Sequence, residues 1–413
     1  MDERFNRNFP DIIEAYLDFT SDHEATKKIH CWTMISVIAA ALERKTWMDR
    51  GFYVLYPNLY IFIIGKSGIM KKSTSTGIGV NLLRDLDETK FMSDRLTAAS
   101  LIEQIERAHK PFQVAGEEVK QSPLYVYSSE LAVMLGEVHG SIIELLTTFF
   151  DCIPNDPTKP WIHHTKHSGT SKIYGPCLNI LGASTIPWLR QNIPDNQLEA
   201  GFASRILFIV ENQGPDKFIA WPEIRKENAE MKPKMLHDLW VISQLAGEFK
   251  VDPDAKRFYT EWYERHMSET DSKWSDEKWC GYMGRKGDHI LKLAMVRSVS
   301  LSNDLIITLK DVRWAIAMLQ KVEPDMFNIF EYNREVVGKE KKDVIISIGF
   351  SLKKYILDHN QASGPELVKF FRGVATEDEV IQEAEELADR NEIGRQVFNG
   401  EVFYMQDVLK FGR

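Results

Sequence analysis

Residues Tyr60–Thr76 read "YIFIIGKSGIMKKSTST". A run of β-formers ends at Gly65, a second glycine follows at Gly68, and Lys71, Lys72, Ser73 and Thr74 come next. A loop that holds phosphate needs a strand, a glycine-rich turn whose N–H groups face the anion, and a helix N-terminus behind it. It also needs a lysine for the β- and γ-phosphates and a hydroxyl for Mg2+. "LYIFIIG" supplies the strand and "STSTGIGVNLLRDL" the helix. Counted from Gly65 against GxxxxGK[ST], Lys71 takes the lysine place, with Met70 where glycine belongs and Lys72 where the hydroxyl belongs. One extra loop residue gives Lys72-Ser73-Thr74 and restores the lysine–hydroxyl pair. The second register is preferred, because the first leaves Mg2+ without its hydroxyl ligand. The plainer reading is a strand–turn–helix with a lysine-rich helix start. Lysines there oppose the helix dipole, however, and a bound anion gives them a reason.

Working outward, strand-like runs recur at Leu59–Ile64, Leu124–Tyr127, Leu178–Leu181 and Ile206–Val210. Helical patterns separate them at Ser73–Leu86, Ala98–His109 and Ser141–Phe150. Such alternation predicts an α/β fold with a mainly parallel sheet and flanking helices. Upstream, Phe9 to about Arg50 reads as helical, with Asp22 as the expected N-cap of "HEATKKIHCWTMISVIAAALERK". The apolar run Cys31–Leu42 is too short to span a bilayer and reads as a buried helix.

Downstream, "ENQGPD" breaks the pattern, and Pro233 to about Asn333 reads as helical. "GKEKKD" (Gly338–Asp343) reads as a charged linker or helix start before a small C-terminal unit. In that unit a helix is expected over Val344–Asp358, and another opens on Ser363 with proline in its first turn. The acidic helix in "TEDEVIQEAEELADRNE" follows, then two strands around Asn399-Gly400. Three helices and a hairpin is the winged-helix order. The expected division is an N-terminal helical segment (1–56), a core (57–215), a helical lid (216–335) and a winged helix (343–413).

The 413 residues are 44% hydrophobic and 27% charged, an ordinary globular composition with room for more than one domain. The 4 cysteines form no CxxC pair, so neither a zinc ribbon nor a disulfide framework is expected, and free thiols suit a reducing cytoplasm. "MDERFNRNFP" has no signal-peptide core. A net charge of −9 excludes a wholly basic nucleic-acid binder, so contact with DNA must use local basic groups.

Several further segments carry chemistry. "PLYVYSSEL" ends a hydrophobic strand in Ser128, Ser129 and Glu130. A nucleoside-triphosphatase ends such a strand in Asp-Glu, the first for Mg2+ and the second for the attacking water. Here Glu130 is present, but Ser129 fills the aspartate place, supplying at most a metal-bound water contact and no charge. Asp151 is a candidate to compensate; the plainer reading of Glu130 is a helix cap. "CLNILGASTIPWL" ends a strand in Ser184 and Thr185, either of which suits a γ-phosphate sensor.

In "PWIHHTKHSGTSKIYGP", Trp161–Thr165 and Thr170–Tyr174 are expected to pair around "KHSG". Lys166 and His167 then sit at a hairpin tip, with His164 and Lys172 adding positive character for single-stranded DNA phosphates. The alternative is an ordinary solvated turn. "EAGFASRILFIVEN" puts Arg205 directly before a strand, suited to reaching a neighbouring subunit's γ-phosphate or to a surface salt bridge. "GYMGRKGDHILKLAMVRSV" is expected to carry Arg285 at the start of a helix with an apolar stripe of Ile290, Leu293, Ala294 and Val296. The capped helix of "ITLKDVRWAIAML" follows, and the pair reads as a helical lid.

This order of loop, acidic strand end, hairpin, sensor strand, "GFASR" and lid arginine resembles the layout of the AAA+ ATPases over residues 10–330. "ASRILFIVEN" and "RKGDHILKLAMVRSVSLSNDLIITLKDVRWAI" are similar to the finger and lid segments of minichromosome-maintenance helicases. Lys166-His167 resembles the hairpin tip of viral superfamily-three helicases, and "LYPNLYIFIIGKSGIMKKST" is similar to phage and mobile-element primase–helicase ATPases.

The resemblance implies ATP and Mg2+ as cofactors, with a phosphate loop of Gly65, Gly68, Lys71, Lys72, Ser73 and Thr74. Within it, Lys72 would sit on phosphate and Ser73 on Mg2+. It further implies Glu130 as catalytic base, Ser184 or Thr185 as first sensor, Arg205 as finger in trans and Arg285 as second sensor. The long loop and Ser129 depart from that pattern. The function implied is an ATP-dependent DNA helicase or translocase of a phage or mobile element, working as a ring, expected to be a hexamer, on single-stranded or forked DNA. A primase or replication initiator would be a separate chain. The alternative is a weakly or non-hydrolysing, nucleotide-gated initiation or helicase-loading scaffold. A phosphate-binding regulator without a DNA role is a third.

Overall fold

A computed structural model describes residues 3–328, apart from 87, 93–95, 136–139, 155, 157, 166–168, 193–200, 213, 216, 222–224 and 269–276. Beyond these it describes 352–353, 355–356, 359, 361–370, 377–389, 393–398 and 401–405. The chain forms two compact units, Met1–Phe327 and Asn328–Arg413.

The first unit is a mixed α/β structure around a five-stranded, mostly parallel sheet. Before the sheet come α1 (Ile12–Phe19), α2 (Lys27–Leu42) and the short strands β1 (Thr46–Asp49) and β2 (Val54–Leu55). The sheet contains β3 (Tyr60–Gly65), β4 (Lys110–Val114), β5 (Glu117–Ser128), β8 (Pro176–Ser184) and β9 (Ile206–Glu211), in the order β4-β5-β8-β3-β9. Between β5 and β8 lies an antiparallel ribbon of β6 (Pro160–Thr165) and β7 (Gly169–Tyr174).

β3 is central, parallel to both β8 and β9, while β5 is parallel to β8. Every residue of β3, β8 and β9 is buried, as expected of parallel strands covered on both faces. β4 was not expected from sequence. It joins β5 antiparallel through Ala115-Gly116, both at positive φ. The polar half of β5 pairs with β4, and its apolar half enters the core.

Within or beside the sheet run α3 (Lys72–Asp85), α4 (Ala98–Arg107), α5 (Leu131–Leu135), α6 (Gly140–Phe150) and α7 (Ile186–Asn192). α2 is apolar on nearly all sides and buried from Trp32 to Leu42, as its sequence predicts. α3 meets it at Gly79, where a Cβ would come within 2.6 Å of Thr33 Cγ2. The N-cap of α2 is Thr26, not Asp22, which instead accepts a bond from Arg225 Nε at 2.5 Å.

After β9 come α8 (Lys226–Ser243), α9 (Pro253–Ser268), α10 (Glu277–Leu301) and α11 (309–328), with short strands Gly247–Glu248, Lys250–Val251 and Ile306–Ile307. Pro233 lies inside α8. The α10 residues Ile290, Leu293, Ala294 and Val296 are buried as the stripe predicts. Arg285, however, stands well inside α10 rather than at its start. Thr308 caps α11, its N–H and hydroxyl both donating to Asp311 Oδ2 at 2.8 and 2.7 Å.

In the second unit, α12 (Gly364–Phe370) and α13 (Glu377–Asp389) accompany a three-stranded antiparallel sheet of Gln361–Ser363, Gly394–Phe398 and Glu401–Met405. Leu352, Ile356, Leu367, Val380, Leu387 and Tyr404 form part of its own core. Glu366 reaches back to the N–H of Ser363 at 2.8 Å, so α12 is capped where the sequence predicts. The first strand of this sheet was not foreseen. The linker 338–343, most of the helix expected over 344–358, and Asn399-Gly400 lie outside the described residues. Among the described residues, no helix is long and apolar enough to cross a membrane.

Candidate functional site

The carboxyl ends of β3, β5 and β8 open on one cleft of about 240 Å³. In open α/β sheets this end is where ligands bind. The cleft is lined by Gly68, Lys71, Lys72, Ser73 and Thr74 after β3, Ser129 and Glu130 after β5, and Ser184 and Thr185 at the end of β8. Three separate segments singled out from sequence therefore converge. Ser67, Ala183 and Trp188 also line the cleft and were not singled out. The signal for Trp188 was an aromatic one turn into the helix that follows the sensor strand.

The two lysines separate by conformation. Lys71 is the N-cap of α3 and adopts the left-handed conformation, φ 49° and ψ 30°. The loop consensus has a glycine immediately before its lysine, and glycine tolerates that conformation best. The Lys71 side chain, 44% exposed, pairs with Glu24 at 3.3 Å. Lys72 is buried, its Nζ donating to the carbonyls of Gly65 at 2.7 Å and Lys66 at 2.9 Å. Burial lowers the pKa of its ammonium, and Glu130 partly offsets this. The ammonium thus sits inside the loop, on carbonyls that a phosphate would replace as partners. Met70, which precedes the two lysines, is buried, its Cγ 3.2 Å from where a Cβ on Gly65 would stand. Gly65 itself has no room for a Cβ, which would fall 2.8 Å from the Glu211 carbonyl on β9.

The loop helix is fastened to the end of β5. Ser73 Oγ donates to the Ser129 carbonyl at 3.2 Å, and Thr76 Oγ1 and Tyr127 Oη are 3.0 Å apart. Ser128 Oγ donates to the Glu130 carbonyl at 2.7 Å and accepts from its N–H at 3.2 Å, which fixes the turn presenting Glu130 to the cleft. Glu130 also begins α5 through its backbone, its carbonyl accepting from Val133 N at 3.0 Å. Its exposed carboxylate remains in the cleft lining. Thr185 caps α7, accepting from Trp188 N at 3.4 Å, whereas Ser184 is buried beside Ile64 in the β3–β8 register.

No cluster of three or more His, Cys, Asp or Glu suited to a metal exists among the described residues. The cleft offers the hydroxyls of Ser73 and Ser129 and the Glu130 carboxylate. That set fits a Mg2+ arriving on phosphate oxygens, since Mg2+ keeps several waters and takes few protein ligands.

Arg205, Arg285 and Asp151 meet elsewhere. Asp151 does not line the loop cleft and so does not compensate for Ser129; its carboxylate lies between two guanidiniums. Arg205 Nη2 donates to Asp151 Oδ2 at 2.5 Å and Nη1 to the Gly201 carbonyl at 2.7 Å. Arg285 Nη1 lies 3.3 Å from Asp151 Oδ1. Burial lowers the pKa of Arg285, as does Arg205, while Asp151 and Asp288 oppose the shift. Arg285 lines a second cleft of about 260 Å³ with Asp151, Asp288, Lys292, Asn58 and Tyr53. Lys292 Nζ is buried there, donating to Asn58 Oδ1 at 2.7 Å and lying 4.1 Å from the Phe150 ring centre.

The β6–β7 ribbon pairs as expected, with Ile162 opposite Lys172 and His164 Nδ1 within 2.8 Å of Thr170 Oγ1. Lys172 is exposed on it. Lys166 and His167 lie outside the described residues. No protein-family model matches the chain, and no curated protein shows significant similarity to it.

Proposed function

We propose that this chain is a Mg2+-dependent ATPase of the AAA+ type that drives DNA unwinding or translocation as a ring. The observation that carries the reading is the convergence of Lys72, Ser73, Ser129, Glu130, Ser184 and Thr185 on one cleft at the carboxyl end of the sheet. In this reading Lys72 leaves the Gly65 and Lys66 carbonyls for the β- and γ-phosphates, and Ser73 holds the metal. Bound Mg2+ would neutralise charge that develops on the phosphate oxygens. Glu130 takes a proton from water as its oxygen bonds to the γ-phosphorus and the bridging P–O bond to ADP breaks. Ser184 or Thr185 orients the γ-phosphate or that water. The β6–β7 ribbon, with Lys172 and the Lys166-His167 tip, would grip single-stranded DNA phosphates. The second unit, whose described residues include α12, α13 and a three-stranded sheet, is read as a winged helix that touches DNA or a replication partner.

ATP-dependent unwinding of a forked duplex, run side by side for the wild type and Lys72→Ala, tests the reading. Unwinding by the first and none by the second is expected. No unwinding by the wild type at any protein concentration contradicts it.

One observation favours a second reading. Ser129 stands where the pattern has a metal-holding carboxylate, leaving Glu130 as the one acidic side chain in the cleft lining among the described residues. A nucleotide-gated scaffold for replication initiation needs binding without fast turnover. Steady-state ATPase with and without single-stranded DNA separates the two, because DNA-stimulated turnover excludes the scaffold.

A further inference from the structure

We infer that Cys152 and Cys177 form a redox-active dithiol, which hydrogen peroxide closes into a disulfide and a small dithiol reopens. Neither residue lines the phosphate-loop cleft, so the pair is independent of the ATPase reading.

Two side chains clamp the backbones of the pair together. Arg44 Nη1 donates to the Cys152 carbonyl at 2.8 Å and to the Pro176 carbonyl at 3.0 Å, and Nη2 donates to the Pro154 carbonyl at 3.0 Å. Asn58 Nδ2 donates to the Phe150 carbonyl at 2.9 Å and to the Leu178 carbonyl at 3.2 Å. Cys152, just after α6, and Cys177, near the start of β8, sit within the two clamped stretches. Both side chains are buried and pack together with Tyr56. The Cys177 thiol donates a hydrogen bond to the Cys152 sulfur. A disulfide needs that proximity. Cys152 also holds the left-handed conformation, φ 53°. Such strain costs stability in a residue that carries a Cβ, and it gathers where a side chain must be aimed.

The thiolate is the nucleophile in thiol oxidation. Burial pushes the Cys31 thiol up to about 12. Burial acts on Cys152 in the same direction, yet its pKa falls below the ordinary value. The bond from Cys177, the Arg44 guanidinium and the Lys292 ammonium together outweigh burial and the nearby Asp151. Cys177 moves the other way, raised by the bond it donates and by burial. The two sulfurs therefore take different roles. Cys152 attacks one peroxide oxygen, the O–O bond breaks, and the second oxygen takes up a proton and leaves as water. The Cys177 sulfur then gives up its proton and attacks the sulfenic acid on Cys152, whose hydroxyl leaves as the second water. Two thiols and one hydrogen peroxide thus give one disulfide and two waters. A small dithiol reverses the bond by exchange and is itself oxidised to a disulfide. Tyr56, Asp151 and Ile153, the neighbours of Cys152, line the second cleft of about 260 Å³, which brings a molecule as small as peroxide beside the pair.

The test treats reduced, purified wild type with hydrogen peroxide, in native buffer and in urea. The protein is then denatured, alkylated and digested, and mass spectrometry without reduction reads the product. In native buffer a peptide pair joined through Cys152 and Cys177 is expected, forming at least about tenfold faster than Cys31 is oxidised. Dithiothreitol should remove it. Cys177→Ala should trap the sulfenic acid on Cys152, where the cyclic diketone dimedone labels it, and Cys152→Ala should leave Cys177 unlabelled. The wild-type measurements need no substitution and decide the matter if either variant unfolds. Cys152 and Cys177 still alkylated after the exposed Cys280 has been oxidised would overturn the assignment. So would a link that forms only in urea, or dimedone on Cys177 in Cys152→Ala.

Discussion

At the residue scale, the account turns on which of two adjacent lysines faces the anion. Lys71 sits in a left-handed cap and pairs outward with Glu24, whereas Lys72 is buried against the loop carbonyls. Removing a charged hydrogen bond typically costs about 1.5–3 kcal/mol. Lys72→Ala should therefore weaken Mg-ATP binding by about 10- to 100-fold, with Lys71→Ala within about threefold of wild type, as titration calorimetry can measure. Equal losses would mean that both side chains turn inward. Two buried histidines set an acid limit. Burial pushes His30 and His289 down to about 3 from an ordinary value of 6.5. Below pH 6.5 the unfolded chain takes up protons that the folded chain refuses, so this stability is complete above 6.5 and lost as pH falls toward 3. At pH 5 the loss is about 2 kcal/mol for each histidine. Urea midpoints should drop between pH 7 and pH 5, and His30→Gln with His289→Gln should flatten that slope. The preferred lysine register was legible as a missing hydroxyl. The engagement of Asp151 was not, because its partners lie 54 and 134 positions away and no local pattern encodes such a pairing.

At the element scale, β3, β8 and β9 were legible because both faces are covered and the residues form unbroken apolar runs. The β6–β7 ribbon was legible from its flanking strand-like runs. β4 was missed because "KPFQV" alternates between half-buried and exposed positions and its turn is Ala-Gly rather than Asn-Gly. The start of α2 was misplaced at Asp22 because an acidic residue before a helical pattern fits the capping rule. Tertiary pairing with Arg225 took that carboxylate instead. Gly65 shows how closely the loop is tied to the sheet: Gly65→Ala would press a methyl against the Glu211 carbonyl. Overpacking of that kind costs about 1–3 kcal/mol, so thermal or denaturant unfolding should report a loss in that range. Unchanged stability would show that β3 and β9 can separate without penalty. For the ribbon, Lys172→Ala should weaken single-stranded DNA binding alike for all sequences and reduce the logarithmic salt slope by about 0.7. A slope identical to wild type would remove Lys172 from the DNA path.

At the scale of the whole molecule, a chain of net charge −9 must confine its positive surfaces. Among the described residues, Lys71 and Lys72 line the loop cleft and Lys172 is exposed on the ribbon. In the second unit α13 is acidic, and Glu385 is bound by Arg395 Nε at 3.0 Å and the Tyr404 hydroxyl at 2.7 Å. Through Glu385 that helix is tied to its own sheet. In the proposed function, ring assembly and the ribbon's grip on DNA would both depend on one event, the closing of the loop after β3 around a triphosphate. Calorimetric titration of the purified chain with a non-hydrolysable ATP analogue and Mg2+ tests that event most directly. The account predicts saturable binding that Lys72→Ala weakens at least about tenfold. No detectable affinity for ATP, ADP or the analogue would contradict it.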